Sequence, residues 1–262
     1  MKIGWHLLRV KSWVKNGFLF LPAIFSLRLL QWDFMFSVLI GAFIFSLISS
    51  FVYINNDIKD AEEDALHPRK KYRPIAAGLI SKKRAFLIGI SLLILAFCLL
   101  VIDKLPLAFL GIVLTYLILN ILYSFWLKTL PLVELFIVAI NFVLRVLAGC
   151  AIIAVKPSHW ILVVTFFLAL LMVVVKRKSE ITQLQGNAEN HRAVLKAYSV
   201  GFLNTLTYIA ATITITAYLL YSIDPDVVKA LGTDWLMYSS LFVLMGVIRF
   251  IQISEQGLYE GE

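Results

Sequence analysis

Apolar residues in this chain come in long unbroken runs, without the alternation of a half-buried strand or the one-sided stripe of a soluble amphipathic helix. Eight runs meet or approach the roughly 20 residues that a bilayer-spanning helix needs. They cover residues 17–30, 35–54, 85–102, 106–126, 131–155, 160–175, 200–221 and 235–253. The first is short and carries Arg28 near its end. A transmembrane barrel would need segments of about ten residues with strict alternation, whereas these runs are apolar on every face. The expected fold is therefore all-α: a polytopic membrane protein of about eight transmembrane helices, forming one domain over residues 1–262. No small-residue cleavage site follows the first run and seven further runs come after it, so it is read as retained and not as a signal peptide.

Composition agrees with lipid as the solvent. Of the 262 residues 61% are hydrophobic and only 15% charged, and the mean hydropathy is +0.88. The net charge of +8 would suit a nucleic-acid partner, but the basic residues sort by membrane side. With the N-terminus in the cytoplasm, eighteen of the 24 Lys and Arg fall in cytoplasmic segments; Lys104, Lys156 and Lys229 fall outside, and Arg28, Arg145 and Arg249 lie within helices. That asymmetry satisfies the positive-inside rule, supports an even number of crossings and puts both termini in the cytoplasm of a plasma-membrane protein. Nucleic acid is excluded as a partner. Trp5, Trp13, Trp32, Trp126, Trp160 and Trp235 stand at or beyond predicted helix ends, where interfacial belts place Trp. Cys98 and Cys150 lie in apolar runs without metal-ligand spacing and are expected to be small buried side chains.

Two cytoplasmic loops are long and charged, at residues 55–84 and 176–198. Each follows an even-numbered helix, as an internal duplication would arrange them, although the halves show no evident similarity. The outward connections are short, apart from the acidic, turn-like residues 223–234.

The first loop opens with Asn56-Asp57-Ile58-Lys59-Asp60-Ala61-Glu62-Glu63-Asp64. If the second helix continues through it, Asp57, Asp60 and Asp64 stand at i, i+3 and i+7 on one face. Three stacked carboxylates repel unless a cation lies between them, and a cluster of oxygen ligands without Cys or His suits Mg²⁺. Because Mg²⁺ completes its octahedron with water and substrate phosphate, the cluster implies a diphosphate. His67, Arg69, Lys70, Lys71, Arg73 and Lys82 to Arg84 follow, donors for the remaining phosphate oxygens. The plain alternative is a solvated loop that only fixes topology.

This stretch resembles the NDxxDxxxD signature of the UbiA superfamily of intramembrane prenyltransferases, and His67-Pro68-Arg69 through Arg73-Pro74-Ile75-Ala76-Ala77-Gly78 continues in that style. The resemblance spans nearly the whole chain. It implies a ring of transmembrane helices around a central cavity open to lipid, with the aspartates binding Mg²⁺ that holds a diphosphate leaving group.

Family members with two metal sites carry a second aspartate-rich motif after the sixth helix. Here that loop reads Lys176-Arg177-Lys178-Ser179-Glu180 and then Asn190-His191-Arg192-Ala193-Val194-Leu195-Lys196-Ala197-Tyr198, with only Glu180 and Glu189 as acids against five Lys and Arg. A basic loop suits a second anionic group held without its own metal. The pattern is similar to the decaprenyl-phosphate phosphoribosyltransferase branch, as are Trp13-Val14-Lys15-Asn16, Tyr123-Ser124-x-x-Leu127-Lys128, and Phe142-Val143-Leu144-Arg145 with Gly149. That branch moves 5-phosphoribose from phosphoribosyl diphosphate to the phosphate of a polyprenyl lipid. Its acceptor is already an anion, so no general base is required, and none of the four histidines is placed as one.

The resemblance assigns Asn56, Asp57, Asp60 and Asp64 to the Mg²⁺-diphosphate site, with the three aspartates as metal ligands. It gives Arg69, Lys70 and Arg73 to the soluble donor's phosphates, and Lys176, Arg177 and Arg192 to the 5-phosphate or the lipid phosphate. Glu180 would orient the ribose or pair with these cations, and Lys15, Asn16 and Lys128 would stand at the same cytoplasmic mouth. Arg145 lies deep in the fifth helix, where an unpaired charge is expensive; pairing with another helix and a place on the cavity wall are both open. Two departures from the branch stand out. Glu134 occupies an expected aspartate position, and the branch continues beyond Glu262 with a ninth helix, so this is a short homologue or a partner helix completes the ring. The sequence leaves homo-oligomerisation open. The competing readings are a prenyltransferase acting on an aromatic or other acceptor, which a second aspartate cluster would favour, and a non-catalytic transporter or lipid-binding subunit, which would need polar groups nearer the midplane.

Overall fold

The computed structural model describes residues 2–26, 28, 31–68, 70–183 and 193–256, and no strand occurs among them. Two short helices, α1 (Lys2–Leu7) and α2 (Leu21–Phe25), precede the first long one, α3 (Trp32–Lys59). Then come α4 (Ala61–Leu66), α5 (Lys82–Ile102), α6 (Leu107–Phe125), α7 (Val133–Ile152), α8 (His159–Gln183), α9 (Val200–Ser222), α10 (Pro225–Leu231) and α11 (Ser240–Glu255), the last preceded by a 3₁₀ turn, Trp235–Ser239. Among the described residues seven segments are long and apolar enough to cross a membrane, one at each of the last seven expected runs. The chain is a multi-pass, all-helical membrane protein. Start signals fall where side chains can cap: Ser81 accepts from the Arg84 amide, Ser199 from Phe202, and Asp224 from Asp226 and Val227 ahead of Pro225.

The first expected run is built differently. Val10–Phe20 forms a 3₁₀ helix and passes into the five-residue α2, which carries Pro22 in its first turn. This segment lies along α3 in the opposite direction. Arg9 meets Asp57, the Leu8 carbonyl and the Trp13 indole both use Ser50, Asn16 donates to Ser46 and Ser49, and Arg28 stacks over Phe34. From Phe34 to Asp57, α3 measures about 34 Å at 1.5 Å per residue, so the run traverses a hydrocarbon thickness without being a regular spanning helix. Irregular backbone at that depth is tolerated where protein covers it. Gly149 on α7 supplies such cover, since a Cβ there would collide with the Leu19 carbonyl.

The chain divides into two compact units: Met1–Leu127 with Leu144–Val155, and Lys128–Val143 with Lys156–Glu262. The division passes through α7. In the first unit Leu19, Phe45, Ile48, Phe109, Val113 and Ile153 form a closed apolar core. In the second, α8 and α9 pack along each other and bury Leu171, Val174, Leu203 and Ala210. One smaller expectation needs correction: Cys150 is buried but Cys98 is exposed on α5. Trp13 and Trp160 are half-buried and donate to Ser50 and Asp224, while Trp5, Trp32, Trp126 and Trp235 are exposed.

Candidate active site

The acidic motif sits at a corner. Helix α3 runs through Lys59 and ends at Asp60, whose φ of −88° and ψ of 6° bend the chain into α4. The bend keeps helical spacing without one straight axis: the Asp60 amide donates to the Asn56 carbonyl at 2.9 Å and the Asp64 amide to the Asp60 carbonyl at 2.8 Å. Asp57 and Asp64 accordingly stay on one side, both 3% exposed. They share one cationic nitrogen, Arg73 Nη1, which lies 3.1 Å from Asp57 Oδ1 and also donates to Asp64 Oδ2. Lys70 Nζ is 3.9 Å from Asp64 Oδ1. Asp60 takes a different partner, its Oδ2 accepting from Asn56 Nδ2 at 3.1 Å.

Sequence reasoning missed Arg9. It donates through Nε to Asp57 Oδ2 at 3.2 Å and through Nη2 to Oδ1, and its guanidinium lies 5.0 Å from the Tyr53 ring centroid. The residue has φ 49° and ψ 47°, a left-handed conformation at the entrance to the 3₁₀ segment. The available signal was a basic residue four positions before Trp13, but its partner lies 48 residues away and no local spacing links them.

Two nearly buried carboxylates are thus neutralised by Arg9, Arg73 and Lys70, and a cationic group already lies between Asp57 and Asp64. Hard oxygen ligands around a cation are what a divalent metal requires. Among the described residues, no three His, Cys, Asp or Glu side chains are gathered as a metal cage. The donor set fits an ion that takes one or two protein carboxylates and completes its shell with water and phosphate.

The other expected residues separate into distinct settings. Asn16 and Arg145 come together inside the first unit: Arg145 Nε donates to Asn16 Oδ1 at 2.9 Å, its Nη2 to the Tyr116 hydroxyl at 3.3 Å, and its guanidinium lies over the Phe45 and Tyr116 rings. Of the two readings of Arg145, pairing with other segments is what these contacts describe. Lys15 is half-buried on the 3₁₀ segment, and Lys128 is half-buried just before α7. Arg69 and Arg192 lie outside the described residues.

In the second unit Arg177 is tied down. Its Nε and Nη2 each donate to Glu134 at 2.8 Å, and its Nη1 reaches Glu180 Oε2 at 2.9 Å. Glu180 therefore takes the pairing role of its two expected ones, and Glu134 gains a bidentate partner that explains its buried charge. Lys178 pairs with Glu255. The Tyr198 hydroxyl accepts from the amide of Leu132, a residue with φ 64°, so two residues of the basic loop brace the turn into α7. Lys176, also in this unit, is half-buried.

Comparison with known proteins gives a consistent picture. The model of the UbiA prenyltransferase family matches residues 19–257. The chain is 28% identical over 250 residues to a decaprenyl-phosphate phosphoribosyltransferase of Corynebacterium glutamicum, covering 93% of this chain and 74% of the relative. It is 27% identical over 257 residues to one of Mycobacterium tuberculosis, covering 96% and 83%. Among solved structures, a UbiA homolog from Archaeoglobus fulgidus bound to GPP and Mg²⁺ superposes with a TM-score of 0.75 at 19% identity, over 98% of this chain and 88% of that one. A match of that extent, on a fold of that likeness, makes this chain a member of the UbiA prenyltransferase family and an enzyme of the transferase class.

Proposed function

We propose that this enzyme transfers 5-phosphoribose from phosphoribosyl diphosphate to the phosphate of a polyprenyl, decaprenyl-like lipid and releases diphosphate. The observation that carries the reading is the corner at Asp60, where two buried carboxylates are balanced by three cations that can reach phosphate. Relatives named for this activity, similar over more than nine-tenths of the chain, support the choice of substrates.

In this reaction the bond between ribose C1 and the diphosphate oxygen breaks, its electron pair leaves with diphosphate, and an oxygen of the lipid phosphate forms the new bond to C1. The acceptor brings its own negative charge, so no side chain has to remove a proton. Arg73, Lys70 and Arg9, with Arg69, orient the donor's phosphates by charge-assisted hydrogen bonds. Mg²⁺ bound by one or two of Asp57, Asp60 and Asp64, with water and phosphate completing its shell, would supply neutralisation of the leaving group. For the acceptor's phosphate or the donor's 5-phosphate the sequence offers Lys176, Arg192 and Lys128, chosen on charge. The positive-inside pattern supports a cytoplasmic face for this chemistry, with both termini on that side.

The test is a label-transfer assay on purified protein in nanodiscs. With Mg²⁺, labelled phosphoribosyl diphosphate and decaprenyl phosphate, a labelled lipid is expected, and chelation of the metal abolishes it. Transfer from a labelled prenyl diphosphate to an aromatic acid, with none from phosphoribosyl diphosphate, would replace this reading with prenyl transfer.

A further inference from the structure

Helix α6 ends beside the acidic corner, and two contacts bind its terminus to the motif. The last carbonyls of an α-helix have no partner within it and carry the negative end of its dipole. Here Lys59 Nζ donates to the Ser124 carbonyl at 2.7 Å and the Phe125 carbonyl at 3.2 Å, and it lies 4.3 Å from the centroid of the Phe125 ring. The Ser124 hydroxyl, on a residue only 6% exposed, donates to Asn56 Oδ1 at 3.3 Å. Asn56 uses its other side-chain atom, Nδ2, to donate to Asp60 Oδ2. With its oxygen receiving and its nitrogen giving, the Asn56 amide has one orientation that satisfies both neighbours.

We infer that Ser124 and Lys59 are positioning residues for the acidic corner, acting through Asn56 and the end of α6 to hold the Asp60 carboxylate and the α3–α4 bend in their binding geometry. The sequence Ser124–Asn56–Asp60 is a short relay of hydrogen bonds in which the outermost donor fixes which face of the amide meets the carboxylate. Lys59, one residue before the bend, anchors the backbone from which Asp57, Asp60 and Asp64 project. Neither side chain needs to touch a substrate for this. The inference rests on the reading of this corner as a diphosphate-metal site.

Binding of inorganic pyrophosphate with Mg²⁺ tests it, measured by calorimetry on the full chain in nanodiscs, since that probe is independent of which group is transferred. Ser124→Val and Ser124→Thr have nearly equal volume and differ in the hydroxyl. Ser124→Val is expected to weaken Mg²⁺-pyrophosphate binding about three- to tenfold, the worth of one hydrogen bond to a polar site, while Ser124→Thr stays near wild type. In the transfer assay the same loss should appear in the Mg²⁺ concentration for half-maximal rate, with kcat at saturating Mg²⁺ changed less. Lys59→Met against Lys59→Arg gives an independent contrast if Ser124→Val fails to fold. Equal binding by Ser124→Val and wild type at matched thermal midpoints, or a loss shared by Ser124→Thr, would overturn the relay while leaving the functional reading standing. Absence of Mg²⁺-pyrophosphate binding by the wild-type protein would overturn both.

Discussion

Each unit of this protein holds an arginine between two carboxylates, yet the two arrangements differ in what water and ligands can reach. In the first unit Arg9 and Arg73 are 23% and 25% exposed at the side chain while their partner aspartates are 4% exposed. In the second, Arg177 is 4% exposed and Glu134 is fully enclosed. A guanidinium with an open side can leave its carboxylate for a phosphate and return. One sealed against a buried glutamate cannot leave without stranding a charge, which costs several kcal/mol. An arginine in a membrane protein's polar loop therefore says little about binding until the exposure of its partner is known.

Four substitutions separate the exchangeable pair from the sealed one. Asp64→Asn should lower the transfer rate about a thousandfold or more, as expected when charge opposite a leaving group's metal is removed, in a protein that still folds because Arg73 reaches solvent. A fall of less than tenfold would remove the acidic corner from the chemistry. Arg177→Met should instead reduce stability, by about 3–5 kcal/mol, because Glu134 loses its bidentate partner in the interior. Thermal unfolding should show the loss, and the double variant Glu134→Gln, Arg177→Met should recover much of it. Failure of the recovered double variant to transfer label would return Arg177 to the substrate side. The smallest effect is expected at Arg9→Gln: roughly a tenfold rise in KM for the diphosphate donor, the scale of one charge-assisted contact, with little change in thermal midpoint. A large drop in midpoint with KM unchanged would make Arg9 a structural partner like Arg177.

The seven long spans were legible because hydrocarbon demands unbroken apolar length, and that demand is written directly in the runs from residue 35 onward. The acidic corner was legible because carboxylates at helical spacing have few uses other than a cation. Its bend at Asp60 was not, since the residues on both sides keep helical hydrogen bonding and only the backbone angles of Asp60 depart. The first run misled in form because its pattern records hydrophobicity but not who covers the backbone: Asn16 finds Ser46 and Ser49, and Leu19 finds the open face of Gly149. Arg9 with Asp57, and Glu134 with Arg177, were invisible for one reason. Each joins residues more than forty positions apart, where only the completed fold sets the distance.

The irregular N-terminal crossing has a consequence for biogenesis. Besides α3, its supports lie far downstream, with Asn16 meeting Arg145, Leu19 meeting Gly149 and Arg28 donating to the Ile153 carbonyl. A ribosome will have made more than half the chain before those supports emerge, so the first thirty residues must wait at the translocon or the lipid surface while later helices insert. Arg9 can meet Asp57 as soon as α3 has emerged, so the acidic motif gains that cation before the segment is fully supported.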